Sequence, residues 1–337
     1  MAKRFRGSVL IATLGLCGLM ATSLATPAAA AVNKNNKIAI LYDQGGRGDH
    51  ALNDAVAVGV DLIKKRYGLT SLNVREMVTT GTDADRYSRL LFLAKANYSL
   101  ILAVGNSFDS VLGQAAIACP YSQFAIINDE TVASLNVSDL SFDGAQGAYL
   151  AGVLAGAATK SLKVGFLAPS AAAAWYPAFV QGVAASNKKA RAYSEITDTS
   201  AVGQTKTLYA QGVDVLFSEV SSTSDVADTA ATLSTKLHPL NLIGISPDQY
   251  FLLQKNTSAL LLGAVTKRVD IATEDVMTAA LNGITVNDVL NESAGIFGRL
   301  YTVPGGGESI ALTGLGEKYA ASVGSALAAL KSGKVKL

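Results

Sequence analysis

The 337-residue chain is half hydrophobic and nearly balanced in charge, with 28 basic residues, 26 acidic residues and two cysteines. A chain of this length can bury two sizeable cores, and its charge balance argues against a nucleic-acid-binding role, which needs a basic patch. Three of the basic residues, Lys3, Arg4 and Arg6, lie in an opening stretch of about thirty residues that has no acid, so the remainder of the chain is about −1 at neutral pH.

Those three residues open a leader. An apolar run over 9–24 follows them, and then Thr26-Pro27-Ala28-Ala29-Ala30-Ala31. This order reads as an export signal over 1–31 with a small-residue cut near Ala30 or Ala31. Two alternatives stay open: an uncleaved membrane anchor, and lipidation of Cys17, although Leu16 stands where a small residue is expected. No later stretch approaches the ~20 apolar residues that a membrane span needs. Without the leader, Cys119 is the sole cysteine, which leaves no intrachain disulfide. It reads as a small buried side chain rather than a nucleophile.

From residue 37 the pattern alternates strand and helix. Apolar, β-branched runs over 38–43, 72–78, 100–105 and 124–128 read as buried parallel strands. Helical periodicity falls between them over 51–65, 83–96 and 107–118, which makes a βαβ series with right-handed crossovers. A less regular bridge spans 129–143. The alternation then restarts, with strands expected over 163–167, 192–196, 213–220 and 240–246 and helices over 146–158, 176–188, 205–211 and 226–237. A further strand over 259–267 and a helix over 269–281 follow. The chain ends in an Ala-rich helix over 316–331 and a solvated basic tail over 331–336. Two α/β units of similar size imply two similar lobes with a cleft between them.

The first strand ends at Asp43, followed by Gly45, Gly46 and Gly48, and Asp49 or its neighbour is placed to cap the next helix. In open α/β sheets, ligands bind at the carboxyl ends of the strands. The loop therefore reads either as a polar-ligand loop or as a tight turn with a helix cap. No Gly-Lys-Ser/Thr follows it, so it is not a Walker A loop. The glycine spacing also fails the dinucleotide fingerprint, and no acid closes the second strand near Val78. Catalytic constellations are poor. His238 precedes Pro239 at a helix end and reads as exposed, while His50 has no nucleophile elbow near it. Gly105-Asn106-Ser107-Phe108-Asp109 lacks the second glycine of such an elbow. No spacing suggests a metal site.

Asp43-x-Gly45-Gly46-x-x-Asp49-x-x-x-Asn53 resembles the opening motif of the basic membrane protein family, extracytoplasmic substrate-binding proteins of ABC importers, several of which bind purine nucleosides. The resemblance continues through Phe124-Ala125-Ile126-Ile127, Gly147-Ala148-Tyr149-Leu150-Ala151-Gly152-Val153-Leu154-Ala155 and Lys163-Val164-Gly165-Phe166. It runs on in Gly212-Val213-Asp214-Val215-Leu216-Phe217, Ile243-Gly244-Ile245-Ser246-Pro247-Asp248-Gln249 and Thr266-Lys267-Arg268-Val269-Asp270. The matches cover about residues 37 to 290 in order.

This resemblance implies a type I periplasmic-binding-protein architecture: α/β, with two Rossmann-like lobes and parallel sheets. Lobe 1 is expected over 36–140 plus 264–293, and lobe 2 over 141–263 plus 294–337. The resemblance carries ligand-binding roles onto Asp43, Asn53, Gly105 and Lys267. It also marks departures. Leu52 and Ile196 stand where the family places stacking aromatics, Asn128 where an acid ends the strand, and Ser246 where an acid precedes Asp248. Losing two rings forfeits about 1–3 kcal/mol of stacking each, and losing carboxylates removes charge-assisted acceptors for diols. Leu52 and Ile196 can still sandwich a flat ring, and Trp175 can supply a substitute aromatic face.

The reading that follows is a non-enzymatic, monomeric, extracytoplasmic solute-binding protein that captures a nucleoside or nucleobase-like molecule by hinge closure and hands it to an ABC permease. No cofactor, metal or nucleic acid is implied. The alternatives are a sugar-like or amino-acid-like solute, a sensory ligand-binding module, and a hydrolase using His50.

Overall fold

The segment Ile38–Tyr42 (β1) is apolar at every position, and all five residues are buried. Such a run satisfies both faces of a sheet only when helices cover it from each side. In the computed structural model the described residues are 32–220, 223–246 and 259–337. The leader expected over 1–31 and Asp248 lie outside them.

After β1 come Leu52–Tyr67 (α1), Val74–Val78 (β2), Asp83–Lys95 (α2), Leu100–Val104 (β3), Asp109–Ala118 (α3), Phe124–Ile127 (β4) and Val137–Phe142 (β5). The chain then forms Gly144–Ala158 (α4), Lys163–Ala168 (β6), Tyr176–Ser186 (α5), Arg191–Ile196 (β7), Val202–Ala210 (α6), Val215–Ser218 (β8), Thr223–Leu233 (α7) and Asn241–Ser246 (β9). Leu261–Lys267 (β10), Val269–Leu281 (α8), Asp288–Asn291 (β11), Ile296–Tyr301 (β12), Glu308–Leu312 (β13) and Ala320–Lys331 (α9) complete it.

These strands build two sheets, ordered β11-β12-β5-β4-β3-β1-β2 and β13-β10-β9-β8-β6-β7. All pairings are parallel except β11 with β12 and β10 with β13. On one face of the first sheet, α1 and α8 cover Ile38, Ile40, Leu102 and Ile127. On the other, α2 and α3 cover Ala39, Leu41, Ile101 and Phe124. The Gly- and Ala-rich α4 buries 12 of its 15 residues. It packs against α5 closely enough that a Cβ on Gly152 would stand 2.1 Å from the Phe179 carbonyl oxygen.

Three short crossings join the two halves, near Asp143, Arg268 and Thr302. Two of them differ from the sequence-based boundaries at 264 and 294. The 261–267 strand belongs to the second sheet, between β9 and β13, and 296–301 belongs to the first, beside β5. The short antiparallel strands β11 and β13 lie at sheet edges, where one partner suffices.

β5 falls in the stretch expected to be an irregular bridge. Its sequence, VSDLSF, shows no apolar run, yet every residue of it is buried. Asp139 there is 0% exposed. One of its carboxylate oxygens accepts the Val132 N–H at 2.9 Å, and the other has no hydrogen-bond partner. Burial pushes this carboxyl up to about 7, reinforced by Asp129 and Glu130. A folded-state value above the unfolded one means that stability falls as pH rises from about 4 to about 7. Asp139→Asn is therefore expected to raise the melting temperature at pH 8 and leave it nearly unchanged at pH 4. A wild-type melting profile without that decline would contradict the assignment.

Candidate functional site

Parallel pairing sets Asp43, Gly105 and Asn128 side by side just past the carboxyl ends of β1, β3 and β4. The row spans roughly 10 Å at ordinary strand spacing. The glycine loop behind Asp43 bends through left-handed backbone at Gly45, Gly46, Gly48 and His50. A side chain on Gly46 would strike Val78 at 2.6 Å.

The loop's N–H groups are occupied by its own acids. Asp49 accepts from Ala51, Asn53 and Asp54 at 2.9, 3.1 and 3.2 Å, and Asp54 accepts from Gly48 and His50 at 2.7 and 3.0 Å. The loop is thus a helix cap of the kind Asp49 announces, with its donors used internally. His50 is mostly solvent-exposed, with Nδ1 3.8 Å from Asp54. His238 is exposed, as expected.

Asp43 is fully engaged. Arg86 grips it in bidentate fashion at 3.0 and 2.9 Å, Ser107 donates to it at 2.7 Å and Thr79 at 2.8 Å. Burial alone would raise this carboxyl, but those donors outweigh it and hold it at about 2. Asp43 therefore ties β1, β2, α2 and the start of the helix after β3 together, with both oxygens committed to the protein.

Asn53 differs. Only 4% exposed, its carboxamide has no hydrogen-bond partner among the described residues. Leu52 beside it packs over Gly105, with its Cδ2 atom 3.3 Å from where a Cβ would stand.

The second cluster forms where the sheets meet. Lys267, the last residue of β10, donates from Nζ to Asn128 Oδ1 at 3.1 Å, bridging the second sheet to the first. Asn128 is in left-handed backbone, φ 62°, which aims its side chain out of the strand. Trp175 ends a 3₁₀ helix, Ser170–Trp175, and its ring lies 6.0 Å from Lys267 Nζ. The ring lies against Gly144, where a Cβ would come within 2.3 Å of it. Lys267, Asn128 and Trp175 thus come together. Ser246 closes β9 next to Thr266. Ile196 does not join them: it sits 39% exposed at the end of the edge strand β7, four strands from β10, or about 19 Å.

Sequence reasoning missed Arg86 and Glu308. Glu308 pairs directly opposite Lys267 on β13, is 2% exposed, and has neither oxygen hydrogen-bonded. Burial drives its carboxyl well above the usual range, opposed by Lys267 and reinforced by Asp143 and Glu219. The Gly305-Gly306-Gly307 turn that delivers it was the available signal.

The crossings are bonded to one another. Asp143 N–H donates to Tyr301 O at 3.0 Å, Gln146 Nε2 to Asp143 Oδ2 at 2.6 Å, and Val303 N–H to Gln146 Oε1 at 2.9 Å. Arg268 N–H donates to Gly307 O at 2.8 Å. Among the described residues, no group of side chains could hold a metal ion and no helix is long and apolar enough to cross a membrane.

Two α/β halves, three crossings and polar strand ends gathered where the halves meet define a two-lobed solute-binding protein of the type I periplasmic class. The chain belongs to the Bmp family of ABC transporter substrate-binding proteins, described as PnrA-like, whose model matches residues 36–291. It is 27% identical over 270 residues to a CD4+ T-cell-stimulating antigen of Listeria monocytogenes, covering 74% of this chain and 75% of that one. It is 28% identical over 136 residues to an ABC transporter nucleoside-binding protein, BmpA, of Lactococcus lactis, covering 40% and 39%. A solute-binding protein of an ABC transporter system from Conexibacter woesei superposes with a TM-score of 0.64 at 18% identity, covering 89% of this chain and 98% of that one.

Proposed function

We propose that this protein captures a nucleoside or nucleobase-like solute outside the cytoplasm and delivers it to an ABC permease, without catalysing a reaction. The observation that carries the reading is the Trp175–Lys267–Asn128 cluster at the junction of the halves. An aromatic face beside a cationic donor and an amide suits a flat heterocycle rich in acceptors. Asn53 supplies a second, unengaged amide from the first half. The nucleoside-binding relative from Lactococcus lactis supports the ligand class, and the leader supports export. Closure of the halves about the three crossings traps the solute, and the permease then meets the closed form.

A thermal-shift panel of purine and pyrimidine nucleosides, nucleobases, sugars and amino acids tests this. A nucleoside or nucleobase at 100 times its Kd is expected to add about 2.7 kcal/mol of stability. Shifts confined to sugars or amino acids would replace the ligand class.

A further inference from the structure

The amino ends of the first-sheet strands, at the opposite edge from the candidate site, are formed by the five loops that enter β1 to β5. These are residues 32–37, 68–73, 96–99, 119–123 and 133–136. These stretches contain no aspartate or glutamate; Asp129 and Glu130 stand earlier in the connection that enters β5, and Glu292 stands in the turn before β12. Main-chain hydrogen bonds knit them into one rim: Ile38 N–H to Asn73 O at 2.8 Å, Ser99 N–H to Lys37 O at 2.7 Å, Ile101 N–H to Gln123 O at 3.0 Å and Phe124 N–H to Asn136 O at 2.9 Å. Five adjacent strands make the rim about 19 Å wide.

Large apolar side chains project from it into water. Leu72 is 84% exposed, Tyr121 102% and Leu135 84%. Lys34, Lys37, Lys65 and Lys95 surround them, from the loops and the last turns of α1 and α2. All four are exposed, and none is in an ion pair among the described residues. Lys34 and Lys37 donate to backbone carbonyls, Gly68 O at 3.5 Å and Ala96 O at 3.4 Å, and Lys37 also lies over the Tyr98 ring, 5.1 Å from its centroid.

Lysines without an ion-pair partner, interspersed with exposed leucine and tyrosine in stretches free of acids, complement an anionic lipid surface. The ammonium groups meet the headgroups while the apolar side chains enter the interfacial layer. The first described residues belong to this rim, with Asn33 N–H bonded to Leu281 O at 3.1 Å. We propose that the rim docks the protein on an anionic membrane surface, leaving the ligand groove at the far ends of the same strands. This docking does not depend on the identity of the solute.

Co-sedimentation with vesicles tests it, using protein recovered after export and comparing mixed phosphatidylglycerol–phosphatidylcholine vesicles with phosphatidylcholine alone. Any retained leader is common to all variants and cancels in the comparison. The wild type is expected to favour the mixed vesicles, and to lose that preference as salt rises. Lys65→Glu combined with Lys95→Glu is expected to lower partition by about 30-fold or more while keeping the wild-type melting temperature. Leu72→Ser with Leu135→Ser is expected to weaken binding to the mixed vesicles at every salt concentration. Equal partition of the wild type into both vesicle types, or unchanged partition of the charge-reversed variant, would overturn the proposal.

Discussion

Lys267→Met and Asn53→Ala are each expected to weaken nucleoside binding by about 2 kcal/mol, near 30-fold, with little change in the unliganded melting temperature. The magnitude follows from losing one charge-assisted hydrogen bond at position 267 and the two sides of an amide at position 53. Methionine keeps the apolar stem while removing only the ammonium group that bonds Asn128 and faces the Trp175 ring. The Asn53 carboxamide has no partner in the described fold, so deleting it removes nothing that holds the unliganded protein together. Titration calorimetry with the strongest nucleoside of the panel checks both variants. Affinities within twofold of wild type for both would reject these positions as the grip.

The largest stability effect is expected at Gly152. A methyl group there would stand 2.1 Å from the Phe179 carbonyl oxygen, and the reciprocal contact puts a Gly182 methyl 2.1 Å from the Tyr149 oxygen. Both obstacles are backbone, so no rotamer change relieves them and α4 must move off α5. Gly152→Ala should therefore cost about 3 kcal/mol or more, at the upper end for overpacking. Gly324→Ala is the matched control. It lies exposed in α9 with nothing within 4 Å of the new methyl, and should stabilise by roughly 0.5–1 kcal/mol. Urea denaturation of the pair measures both. Equal stabilities would mean that the α4–α5 backbone contact is looser than described.

The alternation of strand and helix was legible because buried parallel strands are written as uninterrupted apolar runs, as in Ile38–Tyr42 and Leu100–Val104. The Asp49 cap was legible for a local reason: a short acid just before a helix accepts its free N–H groups. β5 was not legible, since Ser138, Asp139 and Ser141 break the apolar pattern although all three are buried. The crossings at Arg268 and Thr302 depend on which sheet accepts a strand, and local periodicity carries no information about that.

The same distinction holds in the candidate site. The Lys267–Asn128 pair joins residues 139 positions apart, and only the family resemblance drew attention to both. Nothing local to Asp43 announces Arg86, 43 residues on, which grips its carboxylate in bidentate fashion. Glu308 was hidden because the Gly305–Gly307 turn marks its approach but not its register opposite Lys267, which buries it.

Small-angle X-ray scattering with and without a saturating nucleoside addresses the central claim most directly, that two halves hinge shut on a solute held at Lys267, Asn128 and Asn53. The account predicts a smaller radius of gyration on nucleoside addition, and, at a nucleoside concentration about three times the wild-type Kd, little of that change for Lys267→Met. A wild-type radius that stays constant while calorimetry shows the nucleoside bound would contradict capture by closure.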